Sequence, residues 1–272
     1  MKPRGMPPGG GFGSTELLAV IAVMVLLAAL ALSAVRRVDP KARRQTCLHH
    51  LRQLELGWSI YSGDNNDKLV RSAGMDQLVG DVDDPAGRTG GAKSQWVLGS
   101  VDSPSGATNR LLVQQGLLFP YVNNLTSYKC PGDGKMVDGK ATVRSISMNC
   151  WLNPIRDWNS IQDYGGRERL RVFRKQADIT APSPANCWVM IDESPVGIND
   201  GWFVCDPNET YSWRDVPAGY HGDAGGLSFA DGHAEIKSWR DPAVLRRAAP
   251  GTPRDGTSGD LPWLQERSTS RP

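Results

Sequence analysis

The sequence predicts an α+β protein in which a long N-terminal α-helix packs on an antiparallel β-sheet head with long loops. Three observations lead to this fold class. An apolar run of membrane length comes first, an amphipathic segment of helical period follows, and short apolar runs separated by turn residues fill the rest. The expected order is a leader at 1–11, a transmembrane helix at 12–35, its amphipathic continuation at 36–66, a β-rich head at 67–245 and a flexible tail at 246–272.

The apolar run at 17–35 reads LLAVIAVMVLLAALALSAV, and Ser33 is its one polar side chain. Because an α-helix rises about 1.5 Å per residue, these 19 residues reach roughly 28 Å, which spans a bilayer core. Glu16 stands directly before the run, behind a glycine-rich leader that carries Lys2 and Arg4. A carboxylate at the edge of a membrane span is costly, so Glu16 needs a partner.

The apolar run is also compatible with two ordinary targeting segments. A secretory signal peptide has a basic start, and Ala29-Leu30-Ala31 is a small-residue cleavage candidate, although the run exceeds the usual core of about 7–15 residues. An uncleaved signal anchor accounts for the length without using Glu16. The basic residues between Arg36 and Arg44 outnumber those of the leader, so charge alone favours a cytoplasmic head.

An amphipathic helix is predicted from Ala42 to Tyr61, where apolar residues recur every three or four positions between Arg, His, Gln and Glu. Pro40 is expected to interrupt the helix near the membrane surface. Gly63 and the polar cluster at 64–67 are expected to end it. The apolar positions are Cys47, Leu48, Leu51, Leu54, Trp58 and Tyr61.

The centre of the chain combines Gly, Pro, Asp and Asn with short apolar runs, which predicts short strands, long loops and one helix near 109–119. In one such run, CWVMIDE, the adjacent Asp192 and Glu193 face opposite sides of a strand and are expected to mark its end. Beyond Asp241, a short helical piece PAVLRRAA leads into a sequence rich in Pro, Gly, Ser and charge, which predicts a mobile tail.

Composition and motifs argue against several functions. The formal net charge of +2 does not favour nucleic-acid binding. Motifs for serine hydrolysis, zinc proteolysis and phosphate binding are absent, and the five cysteines show no CxxC spacing. We therefore expect no enzyme activity, no cofactor and no metal site.

A β-hairpin is predicted near the C-terminus, in GYHGDAGGLSFADGHAEIKSW. Leu227 to Phe229 and Ala234 to Trp239 are compatible with strands, and Asp231-Gly232 is a preferred pair for the turn between them. His221 is expected to be a hydrogen-bonded histidine of the core. A minor alternative is a metal or ligand site formed by His221, Asp223, Asp231 and His233.

The residues Gly11, Phe12 and Glu16 before the apolar run resemble the processing site of type IV prepilins and pseudopilins. The resemblance implies that a prepilin peptidase cuts after Gly11 and that the new N-terminal Phe12 is methylated. It also implies that Glu16, fifth in the mature chain, pairs with the N-terminal amine of a neighbouring subunit during assembly.

Two further segments carry the same resemblance. Cys47, followed by Leu51-Arg52-Gln53-Leu54, resembles a pattern found after the membrane helix of bacterial prepilin-like proteins. His221-x9-Asp231-Gly232 resembles the prepilin-processing-associated H-x9-DG domain. Together they imply a pilin-like subunit of a type IV pilus or type II secretion-type assembly, held in the inner membrane with its head in the periplasm or at the cell surface. Implied partners are prepilin peptidase, other pilin-like subunits and membrane lipid; the resemblance also implies a disulfide between Cys47 and Cys130.

The rival function is a membrane-anchored binding module with a carbohydrate ligand. The chain has nine tryptophans, and exposed rings stack on sugars, whereas buried rings pack the core. Either role, sugar binding or core packing, is compatible with the tryptophans that lie in loop-rich sequence. These are Trp96, Trp151, Trp158, Trp202 and Trp213.

Overall fold

The computed structural model describes residues 13–35, 40–73, 95–155 and 169–271, with side chains throughout except at 29–35. The chain is mixed α+β and divides into two units, Met1–Ala42 and Arg43–Pro272. The predicted leader at 1–11 and the junction at 36–39 lie outside the described residues.

The first unit contains helix α1, Ser14–Val35. Its first turn closes when the amides of Glu16 and Leu17 donate to the carbonyl of Gly13. The apolar side chains from Leu17 to Leu27 are about half exposed, for example 57% at Leu17 and 59% at Leu27. Where side chains are described, the structure contains no helix that is both long enough and apolar enough to cross a membrane.

Helix α2, Pro40–Asp64, confirms the predicted amphipathic segment. Pro40 is the first described residue of this helix, a position where proline is tolerated because no intrahelical N–H donor is needed there. The predicted interruption at Pro40 stays a prediction, since residues 36–39 lie outside the described residues. The helix ends where Asn66 and Asp67 adopt left-handed backbone angles and the amide of Asp67 donates to the carbonyl of Ser62. All six predicted apolar positions contact the core: Cys47, Leu51, Leu54 and Trp58 are fully buried, and Leu48 and Tyr61 are partly buried.

Three short helices follow, and the single helix predicted near 109–119 is two pieces with Gly116 between them. A separate hairpin pairs two two-residue strands in antiparallel fashion. The elements are α3 (Pro104–Ala107), α4 (Leu111–Gln114), α5 (Phe119–Val122), β1 (Met136–Val137) and β2 (Lys140–Ala141).

The centre of the second unit is a five-stranded sheet of order β5-β3-β4-β6-β7. Neighbouring strands are antiparallel except at one edge, where β3 and β5 are parallel. The purely antiparallel sheet expected from the sequence is therefore wrong at that edge, because β5 is reached by a crossover and not by a hairpin. The strands are β3 (Ile146–Asn149), β4 (Trp188–Asp192), β5 (Trp202–Phe203), β6 (Ala224–Phe229) and β7 (Ala234–Ser238).

The two larger hydrophobic clusters among the described residues are built on this sheet. One joins α2 to strand residues such as Met148, Val189 and Met190. The other joins Trp188, Ile191, Phe203 and Leu227 to the C-terminal segment. The side chains of β4 are divided between the two clusters, which explains why that strand reads as a continuous apolar run.

The expectation of a flexible tail at 246–272 is wrong for its described part. Helix α6, Pro242–Leu245, agrees with the predicted helical piece, and a further helix, α7, spans Asp260–Gln265. Leu264 is fully buried, and its carbonyl accepts a hydrogen bond from the indole of Trp188 at 3.1 Å. Although the composition of the segment is polar, its few apolar side chains meet the sheet.

Candidate functional site

Four separate segments of the second unit place ligand-type side chains together. Cys47 comes from α2, Cys130 from the turn before β1, Asp192 from the last position of β4, and His221 from the loop before β6. One sulfur, nitrogen or oxygen atom from each lies within 4.8 Å of the other three. His221 is 6% exposed and the other three residues are fully buried. We call these four residues the Cys–Asp–His cluster.

Asp192 lies at the centre of the hydrogen bonding in this cluster. Its Oδ2 accepts the thiol hydrogen of Cys47 at 3.2 Å and the backbone amide of Gly226 at 2.9 Å. The Nε2 of His221 lies 3.9 Å from the same oxygen and 3.2 Å from the Sγ of Cys130. The second carboxylate oxygen, Oδ1, is buried without a hydrogen-bond partner among the described residues.

Local sequence explains how each segment reaches the cluster. Cys47 lies one turn before Leu51 on the buried face of α2. Asp192 continues the apolar strand WVMI by one residue and is fully buried like the rest of the strand. Gly226 allows the close approach of β6, since a Cβ atom there would lie 3.0 Å from Cys47 Sγ and 3.1 Å from Asp192 Oδ2.

The electrostatics of the cluster disfavour charge on every member. The hydrogen bond with Cys130, followed by burial, raises the pKa of the Cys47 thiol, and burial raises the pKa of Cys130. Burial raises the pKa of Asp192 to about 6 against the opposing effect of the Gly226 amide. Burial and the nearby Arg44 guanidinium, which donates to the carbonyl of His221, lower the pKa of the imidazole. Neutral thiols and a neutral imidazole therefore surround the carboxyl group.

Two chemistries are open to this donor set. Two sulfurs, one imidazole nitrogen and one carboxylate oxygen are ligands for a borderline divalent metal. The same two thiols are the pair for which the family resemblance implied a disulfide. The structure brings Cys47 and Cys130 together as free thiols, so no bond joins their sulfurs.

The two parts of the H-x9-DG motif are in different places. His221 belongs to the Cys–Asp–His cluster, whereas Asp231 and Gly232 lie in the turn between β6 and β7, as predicted. Gly232 has a φ of +97°, which glycine adopts at low cost, and Asp231 Oδ1 accepts from the Nδ1 of His233 at 2.6 Å. The minor alternative that combined His221 with Asp223, Asp231 and His233 does not correspond to the Cys–Asp–His cluster.

The N-terminal site residues are described only in part. Glu16 is exposed in the first turn of α1, and its Oε2 accepts from the backbone amide of Gly13 at 3.0 Å. Gly11 and Phe12 lie outside the described residues.

The tryptophans that motivated a carbohydrate-binding head are mostly inside the protein. Trp96 and Trp151 are fully buried, and their indole N–H groups donate to the carbonyls of Gly201 and Cys205. Trp202 and Trp213 are also buried, at 3% and 0% exposure. These four rings offer no surface on which a sugar could stack, and Trp158 lies outside the described residues.

Sequence reasoning missed Asp192 as a member of the cluster. Its position after WVMI indicated a strand end, and the prediction that Asp192 and Glu193 face opposite sides is confirmed. Asp192 meets Cys47, whereas the carboxylate of Glu193 accepts from Ser147. A carboxylate at the end of a fully apolar strand was the available signal, since such a group needs a buried partner.

Comparison with protein-family models, with curated proteins and with solved structures gave no match.

Proposed function

We propose that the chain is a non-enzymatic, pilin-like or pseudopilin-like subunit of a type IV pilus or type II secretion-type assembly. Prepilin peptidase removes residues 1–11 and the mature chain starts at methylated Phe12. The N-terminal helix holds the protein in the inner membrane, and the head lies in the periplasm or at the cell surface.

The observation that carries this proposal is the character of α1. Its described apolar side chains are exposed, and Glu16 in its first turn is the one ionisable residue of the helix. An apolar helix needs lipid or neighbouring helices to cover its surface. A carboxylate at one end of such a helix is stabilised by an opposite charge, and an N-terminal amine four residues before Glu16 on a neighbouring copy supplies one.

The second unit supports the same proposal in its general plan. Helix α2 carries its apolar face onto a five-stranded sheet, as the heads of pilin-like subunits are expected to do. Assembly then needs only lateral packing of N-terminal helices, with the heads outside. No catalytic group is required for this function.

The proposal is tested by mass spectrometry of the N-terminus, on the protein isolated from its native membrane. We expect a chain that begins at N-methylated Phe12. A chain that keeps Met1 would instead indicate an uncleaved anchor, and a start near Val35 would indicate a secretory signal peptide. Either of these two results overturns the proposed processing.

A strain that lacks prepilin peptidase provides the matched control. The mass of the N-terminal peptide is expected to increase there by residues 1–11 and to lose the methyl group. An unchanged N-terminal peptide in that strain would show that another peptidase makes the cut, which also contradicts the proposal.

A further inference from the structure

We propose that Cys47, Cys130, Asp192 and His221 form a structural Zn²⁺ site that fastens helix α2 to the β-sheet. This inference goes beyond the assembly function and does not depend on it, because the four ligands are present whether or not the leader is removed. It also differs from the expectation, drawn from sequence spacing, that the chain has no metal site.

The separations within the cluster suit a tetrahedral metal. With bonds of about 2.3 Å to sulfur and about 2.0–2.2 Å to nitrogen or oxygen, neighbouring ligand atoms lie roughly 3.4–3.8 Å apart. The separations here are 3.2 Å for Cys47 Sγ to Asp192 Oδ2, 3.2 Å for Cys130 Sγ to His221 Nε2, and 3.9 Å for His221 Nε2 to Asp192 Oδ2. The remaining pairs of ligand atoms lie within 4.8 Å of one another, so closure onto a metal needs movements of at most about 1 Å.

The donor types select the metal. Two thiolates exclude Ca²⁺ and Mg²⁺, which prefer oxygen ligands, and sulfur together with imidazole is typical of Zn²⁺. Because four protein ligands complete the coordination and water has little access, the site matches structural zinc and not catalytic zinc.

A second observation, at Asp192, also points to a cation as the ligand. Asp192 is fully buried, and within the described residues its one ion-pair contact is with His221 at 3.9 Å. Its Oδ1 has no hydrogen-bond partner in that part of the chain. A buried carboxylate in this condition is costly, whereas a divalent ion bound between Asp192 and the two sulfurs would neutralise it.

Groups around the ligands are arranged to support them. The amide of Gly226 donates to Asp192 Oδ2 at 2.9 Å, and the amide of Gly132 donates to Cys130 Sγ at 3.3 Å. Amide donors of this kind stabilise ligands that carry negative charge. Arg44 donates to the carbonyl of His221, which places a positive charge beside a site whose ligands carry more negative charge than Zn²⁺ neutralises.

A disulfide between Cys47 and Cys130 is the competing use of the same sulfurs. Formation of that disulfide, in which an external oxidant takes two electrons and two protons leave the thiols, would remove both sulfurs as zinc ligands and leave Asp192 and His221 without a cation between them. Zinc binding instead releases the thiol protons of Cys47 and Cys130 and keeps both sulfurs reduced. Oxidising conditions outside the cytoplasm favour the disulfide. The native protein therefore shows which of the two forms, zinc-bound thiolates or a disulfide, is present.

The first experiment measures metal on the full chain, purified in detergent after expression with Zn²⁺. We expect about one zinc per chain by elemental mass spectrometry. After removal of zinc by a chelator, Co²⁺ should produce thiolate charge-transfer bands and the intense visible bands of a tetrahedral site. Metal-free protein with reduced thiols, or peptide mapping that finds a Cys47–Cys130 disulfide, would overturn the site.

The matched variants are Cys47→Ser and Asp192→Asn, with Cys187→Ala as the control. Cys187 is a buried free cysteine outside the cluster, so its loss should leave zinc content unchanged. Cys47→Ser should lower occupancy to below about a tenth. Asp192→Asn should weaken affinity by at least about 10–100-fold, because this is the loss for groups that only support a ligand and Asp192 is proposed as a ligand itself. Full zinc content in both cluster variants would contradict the assignment.

Alkylation of the wild-type chain gives a test that needs no variant to fold. Because Cys47 and Cys130 are buried, the labelling is done at a urea concentration that opens the metal-free head; zinc should then slow maleimide labelling of these two thiols, and a chelator should remove this protection. Equal labelling with and without the chelator would overturn the site. A negative result for the zinc site would not bear on the proposed processing, because the processing is measured separately by the mass of the N-terminal peptide.

Discussion

Gly226 of β6 lies directly against Cys47 of α2. A Cβ atom at Gly226 would stand 3.0 Å from the sulfur of Cys47, and only 2.5 Å from Cδ1 of Leu51. The same glycine donates its amide to Asp192, so one backbone position supports both the helix packing and the Cys–Asp–His cluster.

Gly226→Ala is therefore expected to destabilise the protein by about 1–3 kcal/mol, because the added methyl group overlaps Leu51 in a closely packed layer. Urea unfolding measures this loss. The control is Gly134→Ala, since a Cβ there meets nothing within 4 Å, and its effect should stay within about 0.5 kcal/mol. Equal stabilities of the two variants would contradict the close approach.

The C-terminal segment should contribute to the core in solution. Leu264→Ala removes a fully buried side chain and is expected to cost about 2–5 kcal/mol. Leu245→Ala, at a position 40% exposed, is the control and should cost less than about 1 kcal/mol. Thermal unfolding of the two variants compares them. If Leu264→Ala and Leu245→Ala melt together, the segment is not part of the core.

Glu55 should make stability fall as pH rises. Burial, and then the charge of Asp231, raise the pKa of Glu55 from 4.5 to about 7. Between these pH values the folded chain binds more protons than the unfolded chain, so the free energy of unfolding decreases with rising pH and the loss is complete above about pH 7. Glu55→Gln removes this dependence and should be more stable than wild type at pH 8 by about 1–3 kcal/mol.

Denaturant titrations at pH 5 and pH 8 measure the effect of Glu55→Gln, which should be small at the lower pH. Glu266→Gln is the control, because that side chain is 75% exposed. A wild-type chain and a Glu55→Gln chain with parallel pH profiles would show that Glu55 keeps its ordinary pKa.

Glu16→Ala should leave membrane insertion intact and impair assembly, because the carboxylate is proposed to pair with a neighbour's N-terminal amine. Cross-linking between adjacent N-terminal helices measures assembly. Glu16→Gln separates two roles, since an amide oxygen can still accept from Gly13 but carries no charge. Assembly in Glu16→Gln but not in Glu16→Ala would assign Glu16 to capping the helix. Normal assembly in both variants would remove the role altogether.

Local patterns in the sequence predicted the features that depend on neighbouring residues. The spacing of Cys47, Leu51, Leu54 and Trp58 identified the buried face of α2, because a helix places residues three or four apart on one side. Asp231-Gly232 identified the β6–β7 turn, because glycine accepts the positive φ that this turn requires at Gly232.

Features that depend on distant residues were missed. The polar average composition of the C-terminal segment predicted a mobile tail, whereas Leu261 and Leu264 in that segment pack in the core cluster beside the sheet. The parallel β3–β5 pair was also missed, since pairing direction follows from the path of the connection and not from strand composition.

The sequence by itself determined the apolar helix with Glu16 at its start, the packing face of α2 and the hairpin turn, since each follows from residues within a few positions of one another. Only the tertiary structure decided that Asp192 meets Cys47, 145 residues away in the chain, beside Cys130 and His221. The packing of α2 against β4 brings these two side chains into contact. No local propensity encodes it, because the four buried side chains are brought together by the burial of the apolar layer around them.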